Sequence, residues 1–359
     1  MSGAELPHVP GVLSGDDVAR SAEYLLACQE GSGAIPWFPG GHVDAWDHVE
    51  CAMALSATGH TAAAARAYDW LAAVQRPDGA WPAKIRQGRA ASGLREANHA
   101  GYLAVGVWHH VLVTGDAGFA ERLWPAVRAA VGFVLGLRTE RGEIQWARGP
   151  DGRPGDHALL TGCASLHQAL RCAAALAEWL GRPQPDWELA AAQLGHLVAD
   201  HESIFADRGR FSMDWYYPIL GGAVRGTRAA ERLSERWETF VVPGLGIRCV
   251  SDQPWVTGAE TSELVLALAA TGDVERGIRL LADIQHLRDA DDGAYWTGYQ
   301  FAEDVNWPVE RSTWTAAAVI LAADALSGAT GGARVFTDAP ADVAPADPVS
   351  CGCAVLGRV

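Results

Sequence analysis

The chain has 359 residues, and its 28 Lys and Arg against 43 Asp and Glu give a formal net charge of -15. Such an acidic surface repels phosphates, which argues against a nucleic-acid groove or an anionic membrane face and leaves a diphosphate substrate needing a local basic pocket or Mg²⁺. With 49% hydrophobic and 20% charged residues, no internal linker, no apolar run of about 18 residues and no basic-then-apolar start, a soluble cytoplasmic protein without a membrane segment is expected.

Helical periodicity between Gly and Pro breaks predicts helices near 16–29, 45–58, 61–75, 97–114, 118–138, 157–181, 186–201, 213–224, 227–240, 257–271, 273–287 and 310–327. Twelve helices make six hairpins. The expected fold class is therefore all-α, an (α/α)6 toroid formed by one domain over residues 10–328. From residue 329 to 359 the Gly-, Ala-, Asp- and Pro-rich sequence loses periodicity and is expected to be a flexible tail. The seven cysteines sit mostly in apolar helical stretches and read as reduced core thiols, so no metal site is expected.

A repeat runs through these helices. Trp70-Leu71-x-x-x-Gln75-x-x-x-Gly79-x-Trp81 matches Tyr24-Leu25-x-x-x-Gln29-x-x-x-Gly33-x-Ile35 position by position. A degenerate copy follows at Phe133-Val134-x-x-x-Arg138-x-x-x-Gly142-x-Ile144, and a fourth at Leu280-Leu281-x-x-x-Gln285 with Asp292-Gly293-x-Tyr295. Each copy closes an odd-numbered helix, turns at a glycine and covers the next helix with a large side chain. Odd helices should then form one ring and even helices the other, lining the hole.

The first turns of the even helices are unusually polar and aromatic: Asp44-Ala-Trp46-Asp47-His48-Val-Glu50, then Asn98-His99 with Tyr102, then Asp156-His157, then Asp214-Trp215-Tyr216-Tyr217, then Glu260-Thr-Ser-Glu263, then Glu310-Arg311-Ser-Thr-Trp314. Asp47 and Glu50, three apart, share a helical face and can work as acid and base, although each carboxylate alone also reads as a helix cap. Asp47 is the leading general acid, with Glu50 tuning it and Asp214, Glu260 and Glu310 as candidates for the opposing base; a salt bridge from Asp47 to Arg311 is the competing reading. Trp46, His48, Asn98, His99, Tyr102, Trp215, Tyr216, Tyr217, Glu263, Trp296, Tyr299, Trp307 and Trp314 are the candidate substrate-binding residues. Aromatic faces of this kind stabilise a carbocation or stack on a sugar.

The repeat resembles the QW or prenyltransferase/squalene oxidase repeat of the terpenoid cyclase and protein prenyltransferase superfamily. Trp46-Asp-His-Val-Glu50, Gly106-Val-Trp-His-His110, Met213-Asp-Trp-Tyr-Tyr217 and Trp307-Pro-Val-Glu-Arg311 look like actinobacterial prenyltransferase-like proteins. The resemblance implies an isoprenoid-processing enzyme with carboxylate acid chemistry. It lacks that superfamily's catalytic motifs: Asp289-Ala-Asp291-Asp292 lies in a repeat turn and reads as structural, no Asp-x-Cys zinc pair is present, and no Asp-Asp-x-x-Asp metal site is present. No cofactor is therefore expected, Mg²⁺ entering only with a diphosphate. The alternatives are a six-hairpin glycosidase with paired carboxylates across the cavity, acting on a glycan, and a non-catalytic toroid that binds a lipid or partner. An apolar funnel would favour the isoprenoid, a polar groove with paired acids the glycan.

Overall fold

The computed structural model describes residues 5–338. Its main helices are α1 (Gly15–Cys28), α2 (Ala45–Ala57), α3 (Thr61–Ala73), α4 (Ala97–Thr114), α5 (Ala117–Leu135), α6 (Leu160–Trp179), α7 (Pro185–Asp200), α8 (Ser212–Leu220), α9 (Gly226–Phe240), α10 (Gly258–Thr271), α11 (Val274–Asp283) and α12 (Thr313–Ser327). Successive even helices pack side by side from α2 to α12, and α12 closes the ring on α2. Each even helix also packs against the odd helix that follows it, with α1 covering α12 and α2. This is the all-α, six-hairpin toroid with even helices inside. The burial explains the division: α2, α10 and α12 are buried on nearly every face, whereas α9 and α11 bury three residues each and leave the rest polar.

The repeat builds the outer ring. Gln29 Nε2 donates to Gly33 O within its own turn and to Ala63 O of α3, at 3.1 and 2.9 Å. Gln75 Nε2 does the same to Gly79 O and to Ala126 O of α5, both at 2.9 Å. The repeat glycines lie against the neighbouring outer helix so closely that a Cβ would stand 2.4 Å from Arg66 O at Gly33, 2.1 Å from Ala129 O at Gly79 and 2.7 Å from the Arg20 carbonyl carbon at Gly293. Gly293, in the turn after α11, thereby closes the outer ring onto α1.

Two features depart from expectation. Short strands occur in the long loops that precede even helices, and five of them form an antiparallel sheet, Val241–Val242, Gly246–Arg248, Trp255–Thr257, Gly298–Gln300 and Val305–Asn306. Its third strand runs directly into α10 at Gly258 and so fixes the first turn of that helix. The chain also does not loosen at residue 329: Gly331–Ala333 forms a 3-10 turn and Arg334–Thr337 a short helix, α13, packed on α4, α10 and α12 with Phe336 buried. Asp324 holds this segment through the Thr330 backbone N–H and hydroxyl, at 2.9 and 2.6 Å. The rest of the expected tail, 339–359, lies outside the described residues. Among those described, no single helix is long and apolar enough to cross a membrane.

Candidate active site

The first turns of the even helices all lie at one end of the toroid, where they are joined to the longer loops. A cleft of about 160 Å³ opens there, lined by Asp44, Trp46 and Asp47 of the α2 start, Ala83, Lys84, Glu96, His99, Met213 at the start of α8 and Trp314 at the start of α12. Four different helices contribute to it.

Asp44 is the N-cap of α2 and accepts the Asp47 N–H at 2.9 Å. A cap brings its carboxylate back over the first turn, and here that places it against the Asp47 side chain. Burial, then the Asp44 charge and hydrogen bond, then the charges of Glu50 and Glu263 push the Asp47 carboxyl well above the ordinary range. Burial pushes Asp44 up as well, but the hydrogen bond from the Asp47 carboxyl, the nearby His99 and the Asp47 N–H outweigh it and hold Asp44 low. The two carboxyls are thus pushed in opposite directions, Asp47 toward its protonated form and Asp44 toward its ionised one. Such a pair in one aromatic cleft can work as a proton donor.

Glu50 lies one turn deeper and is 3% exposed. Its Oε1 accepts from Trp46 Nε1 at 2.8 Å and Tyr102 OH at 2.9 Å, its Oε2 from Trp314 Nε1 at 2.8 Å. Glu263 of α10 is held in the same way by the hydroxyls of Tyr216 and Tyr217, both at 2.6 Å. These acids pin the aromatic walls: Trp46 stacks on Tyr102 at 5.1 Å and meets Tyr217 edge-on at 5.7 Å. Burial drives Glu50 up to about 7 despite its three donors; burial and the Glu50 charge raise Glu263 well above its ordinary value. Neither lines the cleft, and both hold its aromatic surroundings in place; Glu260, one turn nearer the mouth, does not line it either and shares its surroundings with Glu263 and the Cys249 thiol.

A carboxyl raised on folding costs stability once it must ionise: the folded state holds the proton between the unfolded and folded pKa values, so stability falls as pH rises through that window. For Glu50 the window runs from 4.5 to about 7, worth roughly 3 kcal/mol at ~1.4 kcal/mol per pH unit; Asp324, raised by burial to about 6, acts in the same direction. Urea melts should therefore give higher stability at pH 5 than at pH 7.5, with a flatter profile in Glu50→Gln. A profile unchanged in that variant would rule out Glu50 as the source.

Several candidates lie elsewhere. His48 is fully buried behind the inner ring, its Nδ1 on the Ile35 N–H and its Nε2 on Ala67 O. Trp215 turns outward to donate to Arg232 O and stack on Phe240. Asp214 accepts the Thr161 N–H and hydroxyl and borders a separate 390 Å³ cavity with Arg208 and Arg232. Asn98 is half-buried beside the cleft without lining it. Trp296 packs under the Arg311 guanidinium, Tyr299 bonds Asp304, and Trp307 is 51% exposed on the sheet side. Glu310 accepts the Trp37 indole N–H at 2.7 Å and so stands one ring behind the cleft, Trp37 lying 5.7 Å from Trp314. Arg311 pairs with Asp289 and Asp292, which assigns that acidic turn a structural role and leaves Asp47 without a salt bridge. Sequence reading treated Asp44 only as a cap and passed over Lys84, Glu96 and Met213; a cap residue three before a candidate acid was the available clue. Among the described residues no three His, Cys, Asp or Glu side chains are grouped to hold a metal ion.

Carboxylates beside tryptophans in a cleft at the mouth of an (α/α)6 toroid are a framework on which a glycosidic bond can be hydrolysed. No protein-family model matches the chain. It resembles the solved structure titled "Glycosidase Wild Type" with a TM-score of 0.67 at 18% identity over 87% of this chain and 96% of that one. A D-mannose isomerase has the same TM-score and coverages at 10% identity; likeness at these identities concerns the fold. The "MMP endo-(1,4)-3-O-methyl-alpha-D-mannosidase" of Mycolicibacterium hassiacum is 51% identical over 353 residues, 98% of each chain. The protein belongs to the family of that mannosidase. The resemblance to terpenoid cyclases and prenyltransferases is thereby corrected, and with it the isoprenoid substrate: the repeat follows from packing a ring of hairpins, and the cleft sets the paired acids Asp44 and Asp47 beside tryptophans.

Proposed function

We propose that the protein is an endo-acting glycoside hydrolase that cleaves α-(1,4) bonds in a 3-O-methylated mannan, with Asp47 as general acid and Glu260 as the opposing base. The substrate class rests on the 51% identity to the mannosidase over nearly the whole of both chains. The observation that carries the chemistry is the placement of Asp44 and Asp47 side by side in one cleft with Trp46 and Trp314, where burial and the Asp44 charge push the Asp47 carboxyl up. Protonating a glycosidic oxygen needs an acid that stays protonated near neutrality, and tryptophan faces hold the sugar rings beside it. Glu260 sits in the first turn of α10, fixed by the adjoining sheet strand, so its position is set by backbone rather than by a loop. The test is incubation with methylated and unmethylated α-(1,4)-mannooligosaccharides and with prenyl diphosphates, followed by mass spectrometry. Internal cleavage of the methylated mannan alone is expected; turnover of a prenyl diphosphate would overturn the reading.

Met213 bears on that selectivity. Its thioether lines the cleft and packs with Trp314, Trp37 and Ala259, so it offers a methyl ether an apolar contact and a free hydroxyl nothing. Met213→Gln is expected to reduce the preference for methylated over unmethylated substrate about tenfold, because a single methyl in an apolar pocket is worth that much. An unchanged ratio of the two kcat/KM values would place methyl recognition elsewhere.

A further inference from the structure

The far end of the toroid, where the inner helices finish, carries a second concentration of unusual side chains. The α8–α9 turn contains Gly222 at φ +88°, and Arg171 Nη1 and Arg225 Nη2 lie 2.5 and 3.1 Å from the point a Cβ on that glycine would occupy. Two guanidinium groups are thus immediate neighbours, packed over a backbone position that a side chain would block. Arg225 Nη1 donates to Ile219 O at the end of α8, at 2.8 Å, while its Nε is buried without a partner. Among the described residues Arg171 makes no hydrogen bond and neither arginine forms an ion pair with a carboxylate. Of the titratable neighbours, the Cys172 thiol is pushed up to about 12 by burial, and His167 is buried and pushed down to about 4 by burial and by the two arginines, with its Nδ1 on Ala191 O. Like charges half-withdrawn from water repel and lose hydration, which is unfavourable unless an anion joins them. The α8 carboxyl-terminal carbonyls offset part of this, yet they leave the Arg171 donors unused.

Arg171 also lines a groove of about 610 Å³ between α4, α6, α7 and α13. Trp108, Leu112 and Ala174 give it apolar walls, and Gln168 is tied to Val335 O of α13 at 3.2 Å. Of its acids, Asp338 is paired with Arg334, and Glu178 and Glu188 are exposed and unpaired with either arginine of the site. Arg171 thus joins a guanidinium pair that no carboxylate neutralises among the described residues to the apolar part of this groove, on a protein of net charge -15.

We infer that Arg171 and Arg225 form a phosphate-binding site at the rear of the toroid, with the adjoining groove taking the organic part of a phosphate monoester. Adjacent planar guanidinium forks offer parallel N–H donors to a tetrahedral dianion, which matches a terminal phosphate better than a singly charged anion. Gly222 lets the Arg171 guanidinium lie directly against the α8–α9 turn beside Arg225, and the Trp108 ring offers a face to a sugar or other flat group.

The test is thermal melting and titration calorimetry of the full chain at constant ionic strength in chloride, with inorganic phosphate and mannose 6-phosphate as probes. Phosphate should raise Tm saturably, and Arg171→Gln should weaken its Kd at least tenfold while melting no lower than wild type in chloride, because it relieves like-charge repulsion. Arg171→Lys, which keeps the charge without the fork, should fall between them. Tighter binding of the sugar phosphate assigns the groove to the ester; equal binding of both probes overturns the ester and leaves a free-phosphate site. A wild-type Tm identical in phosphate and chloride, or an undiminished response in Arg171→Gln, overturns the site altogether. Mannan cleavage is expected to be unaffected by Arg171→Gln, so loss of phosphate binding and failure of the hydrolase reading are separate results.

Discussion

Replacement of Asp47 by asparagine is expected to lower kcat by about 10³-fold without lowering the melting temperature. The factor is that of a general acid in a glycosidic cleavage. The melting temperature should hold because burial and the Asp44 charge already favour the neutral form of Asp47, and an amide keeps a donor aimed at the Asp44 carboxylate. Glu260→Gln should cost a similar factor, since a neutral amide cannot take a proton from the attacking water. Asp44→Asn separates these roles: it removes the second-ranked influence that raises Asp47, after burial itself. The alkaline limb of kcat/KM should then move to lower pH, because that limb reports deprotonation of the acid in the free enzyme. Full turnover in Asp47→Asn would show that the proton comes from another group; a fall in turnover that tracks a fall in melting temperature would reduce Asp47 to a structural residue.

The hairpin order was legible because the breaks fall where Gly and Pro stop a 3.6-residue pattern. The periodicity of 97–114, for example, ends at the left-handed Gly115. Which face of an inner helix meets the axis was not legible. Helix α2 buries His48, Val49 and Glu50 in succession, so no polar stripe separates His48, directed at α3, from Glu50, directed at Trp314. For the same reason Trp215 and Tyr216 are adjacent in sequence yet serve opposite sides of α8. The sheet escaped notice because its strands are two or three residues long, too short for alternation to register. The cleft itself depends on Asp44–Asp47 and Trp46–Glu50, three and four apart, whereas helical spacing alone pairs Asp47 with Glu50, because a cap's carboxylate folds back over the first turn only once the helix start is fixed. Its apolar contribution from Met213 comes from a helix about 170 positions away and required the closed ring.

Gly79→Ala is expected to destabilise the protein by roughly 3–5 kcal/mol, near the upper end for a single substitution, with little change in kcat for the fraction that remains folded. Gly79 has φ +87°, where a Cβ alone costs about 1–2 kcal/mol. That methyl would also stand 2.1 Å from Ala129 O, a backbone atom inside α5 that cannot rotate away. Relief requires α3 and α5 to separate, which stretches the two hydrogen bonds from Gln75 Nε2 to Gly79 O and Ala126 O and disturbs Trp81, whose indole N–H donates to Leu71 O at 2.8 Å. By contrast Gly115→Ala, also at positive φ (+65°) but with nothing within 4 Å of the new methyl, should show the backbone cost alone. Urea melts of the two variants therefore measure the contact between outer helices by difference. Equal losses would mean that the repeat glycine serves only its turn. The expected excess at Gly79 identifies the Gln and Gly of the motif as the seam of the outer ring, a requirement imposed by the geometry of packed hairpins whatever reaction the inner ring carries out.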